Sequence, residues 1–311
     1  MSVVKEVVKS LVGGKETFEV KNHPHHHRLY HLEINNDSLY TFLSENRHVN
    51  AQQLEYVPYM RLALSQSLEK ILGKRFSETV RAILHDRDSG GFTVGMQYQT
   101  EDYDDYIKFA TALAHLLGGV NFDAMSGTYY ARFTVKDTDE SDSYLRQAYR
   151  RFTLHTDGTF VNEPTDWLLM MKFAEENAIG GESRLLHLDD WEDLEHYSTH
   201  PLATCRIEYK APSSKNVEQT VYNQTFFEQN GKPCICFIDQ FANPSTMEQA
   251  TYLKDLSESM ENSKHTIDLP LPVGDLVMVN NMFWLHGRAA FEKSPDLHRE
   301  LLRQRGYFAK V

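Results

Sequence analysis

The 311-residue chain has little cysteine, no surplus of positive charge and no long apolar run, and each shortage closes off a class of function. Cys205, Cys234 and Cys236 are too few for a disulfide framework. The Cys-x-Cys pair on a strand puts both thiols on one face, and all three read as small core residues in a reducing compartment. Lys and Arg number 32 against 44 Asp and Glu, a formal net charge of −12. That argues against nucleic acid as the partner, because phosphate binding draws on basic surplus. A small anion stays open, since two or three buried arginines bind one whatever the global sign. The longest apolar run, Trp167 to Met171, ends at Lys172, well short of the roughly 18 residues of a membrane span. The N-terminus, dotted with Lys5, Glu6, Lys9, Lys15 and Glu16, lacks the apolar block of a signal peptide. The expectation is a cytoplasmic protein with no membrane partner. There is no Gly-x-Gly-x-x-Gly or Gly-x4-Gly-Lys phosphate loop, and no repeat or linker marks a domain boundary.

What is present is a change of period along the chain. The first 50 residues read as strands and turns. Residues 58–72, 76–86 and 103–117 then show helical spacing, the first opened by Pro58 and the last stopped by Gly118-Gly119. After residue 120 the runs become short and strand-like: 129–135, 166–173, 184–188, 204–209, 233–238, 276–280 and 301–308, parted by Gly, Pro, Asn and Asp. Two helical inserts are expected, at 189–197 (with Asp189-Asp190 as the cap and Trp191 as packing) and at 245–263. Helices first and many short strands afterwards predict an α+β fold, mainly β: a double-stranded β-helix (jelly roll) core with a helical buttress. We expect one domain over 1–311, with a helix-rich buttress over 1–120 and the jelly-roll core over 121–311.

Three segments carry chemistry. In Leu154-His155-Thr156-Asp157-Gly158-Thr159, His155 and Asp157 are two apart, which on a strand aims imidazole and carboxylate to one side. Alone that is a weak signal. In Phe283-Trp284-Leu285-His286-Gly287-Arg288 a distant histidine follows the apolar strand Leu276–Val279 and is read as ending it. Two histidines and one carboxylate make the facial triad of non-haem Fe(II), which leaves ligand positions open for a co-substrate and O2. In the third segment Arg299, Arg303 and Arg305 share one face of a strand with Leu301. Several guanidinium groups on an inward face are costly unless each meets an anion, and a guanidinium matches a carboxylate bidentately. An iron site beside such a row suggests a dicarboxylate co-substrate and a carboxylate substrate.

These residues, together with Gly180-Gly181-Glu182-Ser183, resemble the Fe(II)- and 2-oxoglutarate-dependent oxygenases of the taurine-dioxygenase-like and clavaminate-synthase-like groups. Longer stretches are similar to the carbon-starvation-induced glutarate 2-hydroxylase family: Asn121 to Gly127, Ser141 to Gln147, His187 to Trp191, Ser214 to Val217 and Phe283 to Arg288. The resemblance runs from about residue 107 to 309 and is weaker before that. It implies Fe(II) on His155, Asp157 and His286, chelated by 2-oxoglutarate and open to O2. It implies Arg305 or Arg303 on the far carboxylate of 2-oxoglutarate, with Ser183 nearby and Arg299 as a further candidate. The implied reaction hydroxylates glutarate at C2 to (S)-2-hydroxyglutarate and releases succinate and CO2. Arg146, Arg288 and Tyr144 are candidates for the carboxylates of glutarate, with a structural salt bridge as the alternative for each arginine. Asp157 matters further, because related halogenases put a small residue there to admit chloride. The family tends toward homotetramers, so a homo-oligomer is expected. A same-type oxygenase for another small acid and a non-catalytic jelly roll binding metal and 2-oxoglutarate are the alternatives. The tract His23-Pro24-His25-His26-His27 lacks a spaced carboxylate and reads as a surface strand or turn.

Overall fold

A computed structural model describes residues 17–137, 148–211 and 213–309. Tyr144 and Arg146 lie outside the described residues. The described residues open with β1 (Phe18–Asn22) and β2 (Tyr30–Ile34), followed by α1 (Asn36–Glu45), α2 (Ala51–Tyr56), α3 (Tyr59–Leu72) and α4 (Lys74–His85). Next come β3 (Gly91–Gly95), α5 (Tyr103–Leu117), β4 (Gly118–Val120), β5 (Ala131–Lys136), β6 (Phe152–His155), β7 (Trp167–Glu176) and β8 (Ser183–His187). After α6 (Leu194–Ser198) an insert holds β9 (Arg206–Lys210), β10 (Thr220–Gln224), β11 (Phe226–Gln229), β12 (Lys232–Ile235), β13 (Ala242–Asn243) and α7 (Met247–Asn262). The chain closes with β14 (Ile267–Leu269), β15 (Asp275–Asn280), β16 (Trp284–Arg288) and β17 (His298–Phe308).

Two sheets make the jelly roll. The larger runs β1-β2-β3-β15-β7-β17-β4, with β5 also on β17; the smaller runs β14-β8-β16-β6. The alternation of side chains explains why the central strands are apolar throughout. On β7, Trp167, Leu169, Met171 and Phe173 join the core under the helices, whereas Leu168 and Met170 join the core that includes the smaller sheet. On β15, Leu276 and Met278 go one way and Val277 and Val279 the other. A strand buried on both faces reads as a continuous hydrophobic run. Helices α3, α4 and α5 cover the outer face; α5 contributes Phe109, Ala110, Leu113 and Leu117 among others.

The expected helices form, with ends set by local chemistry. Thr246 caps α7 by accepting from the Gln249 N–H, and Asp102 caps α5 by accepting from the Asp104 N–H. Two readings need correction. Residues 36–45 are helical: Asn35 accepts from the Ser38 N–H, and only Leu39 and Phe42 are buried, too short a stripe to register as a period. The insert at 189–197 is a 3-10 turn (Leu188–Asp190) followed by the short α6. Its two aspartates do not cap it: Asp189 pairs with Arg87 and Asp190 with Arg28. The segment before residue 120 also supplies four strands of the larger sheet, so it is built into the core as well as covering it.

Candidate metal centre

His155 closes β6, and His286 sits at the middle of β16 rather than at the end of the preceding strand, which is β15. These two strands are antiparallel neighbours, and the register sets His286 directly opposite His155. Opposed residues project to the same face of a sheet, and the ring centroids lie 4.1 Å apart. Asp157 follows in the turn after β6. Gly158 releases that turn with φ +85°; a Cβ there would meet Thr165 Oγ1 at 2.3 Å. Asn281 clamps the Asp157 backbone from both sides: the Asp157 N–H donates to Asn281 Oδ1 at 2.9 Å, and Asn281 Nδ2 donates to the Asp157 carbonyl at 3.0 Å. Thr156 faces away and hydrogen-bonds the Phe237 N–H.

His155 and His286 are buried, Asp157 is nearly so, and the ligand atoms of the trio converge within 4.8 Å of one another. Asp157 Oδ1 is 3.9 Å from His155 Nε2 and 3.8 Å from His286 Nε2. Those gaps are too long for hydrogen bonds, and the three ligand atoms face one another across a space that a single ion would share. His155 Nδ1 donates to the Thr153 carbonyl at 2.7 Å, so in the neutral ring the lone pair sits on Nε2 and points inward. Burial lowers the pKa of both imidazoles, most strongly at His286, where the neighbouring His155 adds to it. Burial alone would raise Asp157, but Arg303, His286 and Arg305 outweigh it and hold the carboxyl well below its usual range. His286 Nδ1 has no hydrogen-bond partner. Neutral nitrogens around an ionised oxygen, shielded from water, fit a divalent cation.

One cavity collects this trio with Ser183, Arg288, Arg299, Arg303 and Arg305, against apolar walls that include Phe133, Phe152, Met170 and Ile238. β17 carries Arg299, Leu301, Arg303 and Arg305 into it on alternate residues. Arg299 is 2% exposed; its Nη2 reaches Ser183 Oγ at 3.4 Å, and Nε lies 3.7 Å from Glu175. Arg288 sits at the same end: both guanidinium groups flank the Phe291 ring, at 5.3 and 5.7 Å. Burial brings Arg288 and Arg299 down to about 10, so each stays cationic at neutral pH. The Gly-Gly turn before Ser183 packs against the same ring, where a Cβ on Gly181 (φ +73°) would overlap Phe291. Arg303 is committed elsewhere: Nη1 pairs with Asp157 Oδ2 at 2.9 Å and Nη2 with Asp123. Arg305 is buried, and its Nε has no hydrogen-bond partner.

Asp123, Asn281, Lys215 and Gln240 had no role assigned from sequence. Lys215 is buried in the cavity wall beside Met125, and Gln240 lines it with an unpartnered Nε2. The histidine tract is only half superficial: His23 and His26 are buried, while His25 and His27 are exposed. Among the described residues, His26, His27 and Asp190 form the one other His/Asp group compact enough to surround an ion.

The CsiD family model matches residues 18–308. A glutarate 2-hydroxylase of Citrobacter koseri is 46% identical over 285 residues, 91% of this chain and 88% of that protein. Among solved structures, an asparagine oxygenase in complex with Fe(II), (2S,3S)-3-hydroxyasparagine and succinate is similar in fold at TM-score 0.70 and 13% identity, covering 89% of this chain and 93% of that one. The non-haem iron oxygenase OrfP with Fe and α-ketoglutaric acid is similar at TM-score 0.66 and 14% identity, covering 88% and 93%. A family match over nearly the whole described chain, together with a relative of this closeness, places the protein in the CsiD family.

Proposed function

We propose that this chain is an Fe(II)- and 2-oxoglutarate-dependent oxygenase that hydroxylates glutarate at C2, giving (S)-2-hydroxyglutarate, succinate and CO2. The observation that supports it most is the inward convergence of two neutral imidazoles and a carboxylate beside a row of buried arginines, in a chain close to a glutarate 2-hydroxylase. His155, Asp157 and His286 hold the ferrous ion. Bound there, iron and 2-oxoglutarate supply the oxidising chemistry, in which O2 is reduced and the keto acid loses CO2.

The protein's own share is positioning and exclusion of water. Arg299 and Arg305 are six residues apart on β17, about 20 Å along an extended strand, with Arg303 and the metal-facing Asp157 between them. 2-Oxoglutarate would spend one of its two carboxylates on the metal, so the two ends of the arginine row serve two different diacids. Arg299, with Ser183 and Arg288, grips the far carboxylate of 2-oxoglutarate. This moves Arg288 from substrate to co-substrate and takes Arg303 off the far carboxylate, because its two arms are already on Asp157 and Asp123. Arg305 takes a carboxylate of glutarate. Only the keto acid can chelate, which sorts two diacids of equal length.

Aerobic incubation with Fe(II), ascorbate, 2-oxoglutarate and glutarate under labelled O2 tests the reading. Succinate and singly labelled 2-hydroxyglutarate should appear together. Succinate release that ignores glutarate, but responds to a different acid in a substrate panel, would transfer the activity to that acid. Arg299→Ala should raise the KM for 2-oxoglutarate about 10–100-fold, the worth of a charged hydrogen bond or two. Arg305→Ala should do the same to the KM for glutarate, and the reverse pattern exchanges their roles. A cytoplasmic homotetramer belongs to the same proposal; no helix among the described residues is long and apolar enough to cross a membrane, and light scattering checks the assembly.

A further inference from the structure

We infer that Asp123 is a positioning residue for the metal ligand: it occupies one arm of Arg303, so that Asp157 keeps an oxygen for the ion, and it fastens the cavity-lining loop 121–128 to that ligand. The inference rests on the reading of His155, Asp157 and His286 as iron ligands.

Arg303 stands between two carboxylates. Nη1 lies 2.9 Å from Asp157 Oδ2, and Nη2 donates to Asp123 Oδ2. A guanidinium left alone with one carboxylate settles as a fork on both of its oxygens. On Asp157 that fork would also take Oδ1, the atom that faces the two imidazoles. Asp123 prevents it by holding the second arm. It is itself rigidly placed, 6% exposed, with Oδ1 accepting from the Ser126 N–H at 2.9 Å. Its own N–H donates to the Thr128 carbonyl at 2.7 Å, and its carbonyl accepts from the Gly127 N–H at 2.8 Å. The turn closed by these bonds puts Ala124 and Met125 into the cavity wall. A second loop is tied on: Asn216 Nδ2 donates to the Ala124 carbonyl at 3.3 Å, and Lys215 Nζ lies 3.6 Å from the Met125 sulfur. An unbroken series of contacts therefore leads from the cavity wall, through Asp123 and Arg303, to the carboxylate that faces the metal. A displaced wall and a misdirected ligand become the same event.

The test uses the full chain, freed of metal and titrated anaerobically with Fe(II), or with Co(II) as a visible probe. Asp123→Asn keeps the shape and the Ser126 contact but loses the grip on Arg303. It should weaken metal binding about tenfold or more, the usual cost of an outer partner of a ligand. The melting temperature of the metal-free protein should stay within about 3 °C of wild type. Asp123→Glu should recover most of the affinity. In an Arg303→Gln background, with no fork left to restrain, most of the Asp123→Asn penalty should vanish, a non-additivity that a merely structural role does not produce. Wild-type affinity in Asp123→Asn overturns the inference, and so does an equal penalty in both backgrounds. Wild-type protein that binds metal but hydroxylates nothing sinks the glutarate reading alone; protein whose His155, Asp157 and His286 bind no metal sinks both.

Discussion

His155, Asp157 and His286 in the cavity, and His26, His27 and Asp190 outside its lining, each gather two imidazoles and a carboxylate within 4.8 Å. Their surroundings differ at two atoms. In the first group His155 Nδ1 donates to a carbonyl, which leaves the Nε2 lone pair turned inward. In the second, the Arg28 N–H donates into His26 Nδ1 at 3.0 Å, so the proton of the neutral ring is on Nε2, the atom that faces Asp190 at 4.0 Å. In the first group Arg303 holds one oxygen of Asp157 and spends its other arm on Asp123. In the second, Arg28 forks onto both oxygens of Asp190, at 2.8 and 2.7 Å. Residue type and proximity are alike. The proposed assignment of the first group as the metal site rests on these two differences: the partner of the distal ring nitrogen and the count of free carboxylate oxygens.

The same substitution in each group gives the largest contrast. Asp157→Ala should cut iron-dependent succinate formation by more than about 100-fold, beyond the usual cost of losing a ligand's outer partner, while circular dichroism reports an intact fold. Asp190→Ala should leave turnover within about twofold, because it touches nothing in the cavity, but should cost about 2 kcal/mol of stability by stranding a partly buried guanidinium. Comparable losses of activity in the two variants would erase the distinction. A smaller but sharper effect is stoichiometric: anaerobic Co(II) titration of the wild type should saturate at about one ion per chain, since only one group offers a free lone pair and oxygen together. Saturation at two would show that Arg28 yields Asp190 to a cation.

The sequence was informative where chemistry is local and silent where it depends on register. His155 and Asp157 are two apart, and the arginines of β17 alternate, so their shared sides follow from the period of a strand. That His286 lies opposite His155 is a matter of pairing, and a slip of one residue would turn it to the other face. Arg303 could be assigned to 2-oxoglutarate because its competitor Asp123 is 180 residues away and belongs to a turn, where an aspartate ordinarily serves the backbone. Asn281 was hidden in the same way: an asparagine between two strands reads as a turn residue, and only the fold brings it against Asp157. Asp123 did lie within a stretch that resembled the family, Asn121 to Gly127, so the segment was marked although its role was not. The jelly roll itself was legible from the switch of period after residue 120. The helix at 36–45 was not, because two buried residues leave no stripe.

The smallest effect concerns His26, and it separates a histidine buried for packing from one kept for a ligand. Burial lowers its pKa from the ordinary 6.5 to about 4, and its ring packs edge-on to Trp284 at 5.2 Å. Between pH 4 and 6.5 the unfolded chain therefore binds a proton at this residue that the folded protein refuses. Stability falls as pH drops through that window and is unaffected above it. His26→Phe keeps the ring and removes the titration, so the slope of unfolding free energy against pH in that window should flatten by up to about 1.4 kcal/mol per pH unit. Metal-free wild type and variant are compared, so that His155 and His286 contribute equally and cancel in the difference. Turnover of the iron-loaded variant at neutral pH should match the wild type, since His26 donates nothing to the cavity. An unchanged slope would mean that His26 is charged in the folded protein at acid pH, with Asp190 as its counter-ion in competition with Arg28, and the second group would then be an ion-pair cluster instead of a neutral packing element.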